Sequence, residues 1–156
     1  MIVRALGIEP VTYEDGFADV LAENWYADEM QAAVNAGIIQ GDDVGLRPED
    51  TVTREEMAKM ILAAYQQAGG QLSEGEAILF TDEAQISAWA KDAVDQASKL
   101  GLIRGFETGE FRPQENAQRE QAMVMIYRLL EGTKQKELQE EEQEQQEQQE
   151  QEQKEE

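Results

Sequence analysis

The chain contains no cysteine and no histidine. Disulfides, thiol nucleophiles, Cys/His zinc sites and Ser-His-Asp triads are thereby excluded. It also lacks an apolar run of the roughly 18 residues that a membrane-spanning helix needs. Residues 1–6 are apolar but too few for a signal peptide, and Gly7 and Pro10 follow them. Basic residues are scarce. Against 34 Asp and Glu stand 13 Lys and Arg, a net charge of −21 over 156 residues. Phosphate binding needs clustered Lys and Arg, so nucleic acid is a poor partner for such a chain, as is an anionic membrane surface.

Apolar residues all but vanish at the end. Residues 134–156 comprise 10 Glu, 9 Gln, 3 Lys and Leu138. One apolar residue cannot offset the entropy of ordering such a segment, and no apolar heptad offers a coiled coil. This stretch reads as a disordered acidic tail, a solvated brush that is extended or partly helical. It carries −7 of the net charge, which leaves −14 on the 133 residues before it.

Within those 133 residues an internal repeat organises the chain. Phe17-Ala18-Asp19 recurs as Phe80-Thr81-Asp82, Trp25 as Trp89, and Gly37-Ile38-Ile39 as Gly101-Leu102-Ile103. Arg47-Pro48 recurs as Arg112-Pro113, and Arg54-Glu55 as Arg119-Glu120. A partial copy opens the chain, because residues 1–6 match residues 60–65 and 125–130. The expected units are residues 1–8 as the end of a truncated first repeat, 17–67 and 80–131 as whole repeats, and 134–156 as the tail. A chain that starts inside a repeat reads as part of a longer protein.

Each repeat reads as helix, loop, helix. The first helix is expected to start near Asn24 or Ser87, both good N-cap residues. Its apolar stripe is Tyr26, Met30, Ala33 and Val34 in one copy, and Ala90, Val94 and Ala97 in the other. Gly37 and Gly101 stand where a left-handed C′ glycine ends a helix. A loop follows, with Gly41, Gly45 and Pro48 or Gly105, Gly109 and Pro113 marking turns. Its short apolar pieces suggest a strand-like return. Thr53-Arg54-Glu55-Glu56 is a capping box that opens the second helix. Met57, Ile61, Ala64 and Tyr65 form its stripe, matched by Ala122, Ile126, Leu129 and Leu130, and by Ile2, Ala5 and Leu6. Gln118 replaces the capping threonine in the second copy, which weakens that cap by roughly 1 kcal/mol. The predicted fold is mainly all-α, with tandem helix–loop–helix repeats packed as a pseudo-threefold module around three second helices.

These ordered submotifs, each present twice, resemble the surface-layer homology domain. The resemblance covers residues 17–65 and 80–130, plus residues 1–6. It implies a three-pronged helical module that anchors exported proteins to acidic, often pyruvylated, secondary cell-wall polysaccharide at a bacterial surface. Ligand grooves between repeats and an Arg at the start of the second helix are also implied. Carried onto this chain, Arg54 and Arg119 are the candidate anion contacts, beside Thr53. The first loop departs from the family pattern: it has lost the aromatic residues and gained the adjacent acids Asp42 and Asp43. No enzyme activity, cofactor or metal is implied. The partners expected are the wall polymer, with no membrane insertion, or alternatively a protein, including a second copy meeting the incomplete first repeat.

The chemistry of those residues leaves alternatives open. A pyruvate ketal is a carboxylate, which an Arg fork meets with two charge-assisted hydrogen bonds, and free N–H groups at a helix start add to that. Equally, each Arg can pair with neighbouring Glu55, Glu56 or Glu120. Trp25 and Trp89 are core anchors or sugar-stacking platforms. Asp19 and Asp82 accept sugar hydroxyls or fix the loop that follows. Arg47 and Arg112 brace the loops against nearby acids. The adjacent acids Asp42-Asp43 and Asp82-Glu83 read as solvated loop residues, because paired glycosidase carboxylates must face each other across a cleft. No EF-hand pattern is present.

Overall fold

Thr53 has the backbone and side chain of a helix start. Its hydroxyl accepts the Glu56 amide at 3.3 Å, and the Glu56 carboxylate accepts the Thr53 amide at 2.8 Å, closing the capping box. The computed structural model describes residues 1–14 and 16–155. Its helices are α1 (Ile2–Ala5), α2 (Ala27–Asn35), α3 (Arg54–Gln67), α4 (Lys91–Lys99) and α5 (Arg119–Glu155), with a 3-10 turn at Glu83–Gln85. The fold class is all-α, and no described helix is long and apolar enough to cross a membrane.

The helix ends follow the glycine signals. Gly37 and Gly101 have φ of 70° and 69°. Ile38 donates to the Ala33 carbonyl and Leu102 to that of Ala97, both at 2.9 Å, which satisfies carbonyls orphaned at the ends of α2 and α4. The starts of α2 and α4 differ from expectation. They fall at Ala27 and Lys91, after Tyr26 and Ala90, which supply no side-chain cap. Asn24 instead accepts the Leu21 amide at 2.7 Å within a preceding turn. Ser87 spends its side chain on Glu55.

The second-helix stripes of all three copies enter one apolar cluster, except for Leu130, which is exposed. It gathers Ile2 and Val3 of α1, Met57, Ile61 and Ala64 of α3, and Ile126 and Leu129 of α5, with Ala90, Val94 and Ala97 of α4. Helix α5 touches both α1 and α3, and α3 lies along α4. Fully buried side chains such as Ile61, Leu102, Ile103, Phe111 and Leu129 each stabilise the fold by about 2–3 kcal/mol.

The loops do not return as strands. Among the described residues the only β pairing is an isolated bridge between Thr53 and Asn116. A carboxylate pins each loop instead. Asp19 accepts the amides of Leu46 at 3.0 Å and Arg47 at 2.7 Å. Asp82 accepts those of Phe111 and Arg112, both at 2.7 Å. The loop folds back so closely that a Cβ on Gly105 would stand 2.9 Å from the Phe80 ring, and the Phe17 ring crowds Gly41 in the same way.

Of the extended and partly helical forms expected for the tail, the structure shows the helical one. Helix α5 continues through it to Glu155. Glu and Gln are good helix formers, and extension from a packed helix escapes the cost of nucleation. Leu138, half exposed, finds no core there.

Candidate functional site

The joint between the two whole repeats is built from the first turn of α3. Arg54 donates its backbone N–H to the Glu115 carbonyl at 2.9 Å, and Glu55 donates to that of Pro113 at 3.1 Å. Ala117 answers by donating to Val52 at 2.8 Å. The amides that would otherwise face an anion at this helix start are therefore spent on the loop of the following repeat. That corrects the expectation of free N–H groups beside Arg54.

The side chains cross the same joint. Arg54 is 3% exposed. Its Nε donates to the Phe111 carbonyl at 2.7 Å, Nη1 to Gln121 Oε1 at 2.8 Å and Nη2 to the Arg104 carbonyl at 3.2 Å. Its guanidinium carbon lies 4.7 Å from the centre of the Phe106 ring and 5.0 Å from that of Phe111. Pairing with its neighbours Glu55 or Glu56 does not occur. Glu55 is 2% exposed and accepts the Ser87 amide at 2.9 Å, the Ser87 hydroxyl at 2.7 Å and Gln114 Nε2 at 2.8 Å.

Two arginines, Arg54 and Arg112, share one aromatic ring here. Arg112 stacks on Phe106 at 4.3 Å, the ring that also meets Arg54. Burial, then the charge of Arg112, pulls the Arg54 guanidinium below its ordinary pKa, with Glu115 and Asp82 opposing. Arg128 of α5 is likewise lowered, by burial and then by Arg104. Arg112 also pairs with Glu110 at 3.0 Å and Glu115 at 3.8 Å. Arg47 pairs with Asp42 at 3.3 Å and Glu56 at 3.5 Å, so both bracing roles hold.

Arg119, the first residue of α5, differs from Arg54 in kind. It is exposed, with no hydrogen-bond or ion-pair partner among the described residues. Two residues on, Gln121 holds Arg54 and also accepts the Gln118 amide at 3.4 Å. Among the described residues, the first amides of α5 meet no loop like the one that covers those of α3.

The remaining candidates divide. Trp25 is 82% exposed and meets Tyr26 edge-on at 5.4 Å. Trp89 is 53% exposed, with Lys59 Nζ 5.6 Å from its ring. Neither is a core anchor. Each precedes its helix on the outer side of a turn, and Ala27 and Ala90 take the buried places. Asp19 and Asp82 fix the loops. Asp82 is buried and structural rather than solvated, whereas Asp42 stays exposed while it accepts the amides of Val44 at 2.9 Å and Gly45 at 3.1 Å. The sequence offers Phe106 and Phe111 only as apolar pieces of a strand-like return, and gives Gln121 no role. The signal available was the pair of aromatics that the second loop has and the first lacks.

A family model described as the S-layer homology domain matches residues 16–58 and 79–123. The chain is 42% identical over 132 residues to an amylopullulanase of Thermoanaerobacterium thermosulfurigenes, covering 84% of this chain and 7% of that protein. It is 42% identical over 132 residues to exoglucanase XynX of Acetivibrio thermocellus, covering 84% and 12%. It is 37% identical over 93 residues to the surface-layer 125 kDa protein of Lysinibacillus sphaericus, covering 58% and 8%. The chain thus spans a small fraction of the length of each relative.

Proposed function

Since the chain belongs to the S-layer homology domain family, we propose that it is a non-catalytic anchoring module, binding acidic secondary cell-wall polysaccharide at a bacterial surface. The observation that carries this reading is an exposed Arg119 with no partner among the described residues, at the start of α5 and two residues before Gln121, which Arg54 ties to the neighbouring loop. Arg119 is the contact best placed to meet a carboxylate, because its fork is unspent. Arg54 is a positioning residue that holds Gln121, and with it the start of α5, against the neighbouring loop. Trp25 and Trp89, both exposed, are available to stack on sugar rings. At physiological salt, screening over about 8 Å mutes the repulsion between the acidic body and an anionic polymer while contact-range bonds survive. The names of relatives fit the reading: some are polysaccharide hydrolases and one is a surface-layer protein. Their own activities are not carried over to this chain.

The test is sedimentation with purified cell walls, native or stripped of secondary polymer by acid. Binding to native walls alone, lost in Arg119→Ala with unchanged helicity, is the expected result. Equal sedimentation with stripped walls, or full binding by Arg119→Ala, overturns it.

One observation favours a second reading, self-association. Met123, Val124, Tyr127 and Leu130 are exposed on α5 at 51%, 44%, 63% and 37%. The matching positions of α3 include Ala58 and Leu62, which are buried. Charge opposes a second copy in the same register. Where Glu55 finds Ser87 and Gln114, Glu120 would find the repeat equivalents Glu23 and Glu49. Light scattering that reports a concentration-dependent dimer would favour this reading over the first.

A further inference from the structure

Helix α5 carries a glycine where a helix disfavours one, and that glycine floors a cleft. Gly132 lies well inside α5, between Leu129 in the core and the acidic tail. A glycine there weakens the helix, so its presence asks for a packing or binding reason. A Cβ at this position would meet Tyr65 at 3.5 Å and Leu102 at 4.0 Å, ordinary contacts that impose no clash. Steric exclusion therefore does not demand the glycine. Gly132 instead lines a space beside Tyr65 and Leu102.

That space is a cleft of about 400 Å³ lined by Tyr65, Leu100, Leu102 and Gly132, with Gln71, Gln135, Gln139 and Gln143. The volume falls within the range of small-ligand sites, about 300–1,000 Å³. None of the lining residues is charged, although 30% of the chain is. Gln135, Gln139 and Gln143 stand four residues apart, so one face of α5 presents them in a row. None of the four glutamine side chains has a hydrogen-bond partner among the described residues. Gly70 runs directly against the Tyr65 ring and donates to the Tyr65 carbonyl at 2.8 Å, which fixes the cleft wall.

We propose that this cleft is a binding subsite for a neutral saccharide, separate from the arginine joint. An amide offers both a donor and an acceptor, which matches the hydroxyl of a sugar. Leu100, Leu102 and Tyr65 suit the apolar C–H face of a pyranose. A charged ligand would find no counter-charge in the lining, and an anion would also meet the field of an acidic chain.

The experiment uses the full chain, labelled with nitrogen-15, and an array of neutral oligosaccharides of glucose, galactose, mannose and N-acetylhexosamine. Array hits are titrated in solution to millimolar concentration. The side-chain amide signals of Gln135, Gln139 and Gln143 are expected to shift. Gly132→Leu, which fills the floor, and Gln139→Glu, which sets a charge in the row, should each weaken binding about tenfold or more, helicity unchanged. No shift of these amides with any neutral glycan overturns the proposal. So does affinity within about twofold of the parent in a folded Gln139→Glu variant. A hit that moves only Arg54 or Gln121 signals likewise overturns the subsite, and leaves the wall-polymer reading standing.

Discussion

Glu55 and Ser87 come from different repeats, and the Glu55 carboxylate takes both the amide and the hydroxyl of Ser87, at 2.9 and 2.7 Å. Glu120, the equivalent of Glu55 in the second repeat, is exposed. One sequence motif thus serves in two environments. Glu55→Ala leaves Ser87 and Gln114 unpaired and is expected to cost about 2–3 kcal/mol in denaturant unfolding. Glu120→Ala should stay within about 0.5 kcal/mol of the parent.

Arg54 makes a sharper case. Its removal strands the carbonyls of Phe111 and Arg104 and the Gln121 amide in a joint only 3% open at that residue. Arg54→Ala is expected to cost about 3–4 kcal/mol. Arg54→Lys keeps the charge but not the planar fork, so it should restore less than half of that loss. Urea titrations of the three proteins check the order.

Arg47 and Arg112 have φ of 51° and 55°, in the left-handed region, each before a proline. Side chains other than glycine are strained there, by about 1–2 kcal/mol. Asp82 holds the second of these turns by accepting the Phe111 and Arg112 amides. Asp82→Ala should destabilise by about 2 kcal/mol or more. Arg112→Gly relieves the backbone but forfeits the stack on Phe106 and the pair with Glu110. Its thermal midpoint is therefore expected to fall much less than that of Asp82→Ala.

Asp19 sits below the ordinary carboxylate pKa of 3.8, chiefly because the Leu46 amide donates to it, with the Arg47 amide adding to that against some burial. Asp42 is lowered too, by the Val44 and Gly45 amides. A carboxyl whose pKa is lower folded than unfolded stabilises the fold above its unfolded pKa, and that stability fades as pH falls through the folded one. The first loop should hold near neutrality and loosen as pH drops below about 4. Thermal midpoints of the parent between pH 2 and 6 should decline on acidification, and Asp19→Asn should flatten part of that slope.

The repeat, the capping box at Thr53, the C′ glycines and the apolar stripes were legible in the sequence, because each is a local rule of spacing or backbone geometry. So were the loop-fixing roles open to Asp19 and Asp82. The fate of Arg54 and Arg119 was not. Both follow the same motif, and the difference lies in what arrives from elsewhere in the chain. The second loop brings two aromatic rings and two carbonyls to Arg54, while no equivalent loop among the described residues reaches Arg119. The tryptophans mislead for a related reason. Their position ahead of a stripe suggests burial, but the helices begin after them, and alanines take the inside places.

Sequence by itself determined where the capping box, the C′ glycines and most of the apolar stripe fall, since period, caps and glycines act over a few residues. Tertiary structure alone decided which of two matching arginines is spent and which is open. A buried ion's environment is set by neighbours some 50 to 70 positions away along the chain, and no local pattern records who they are.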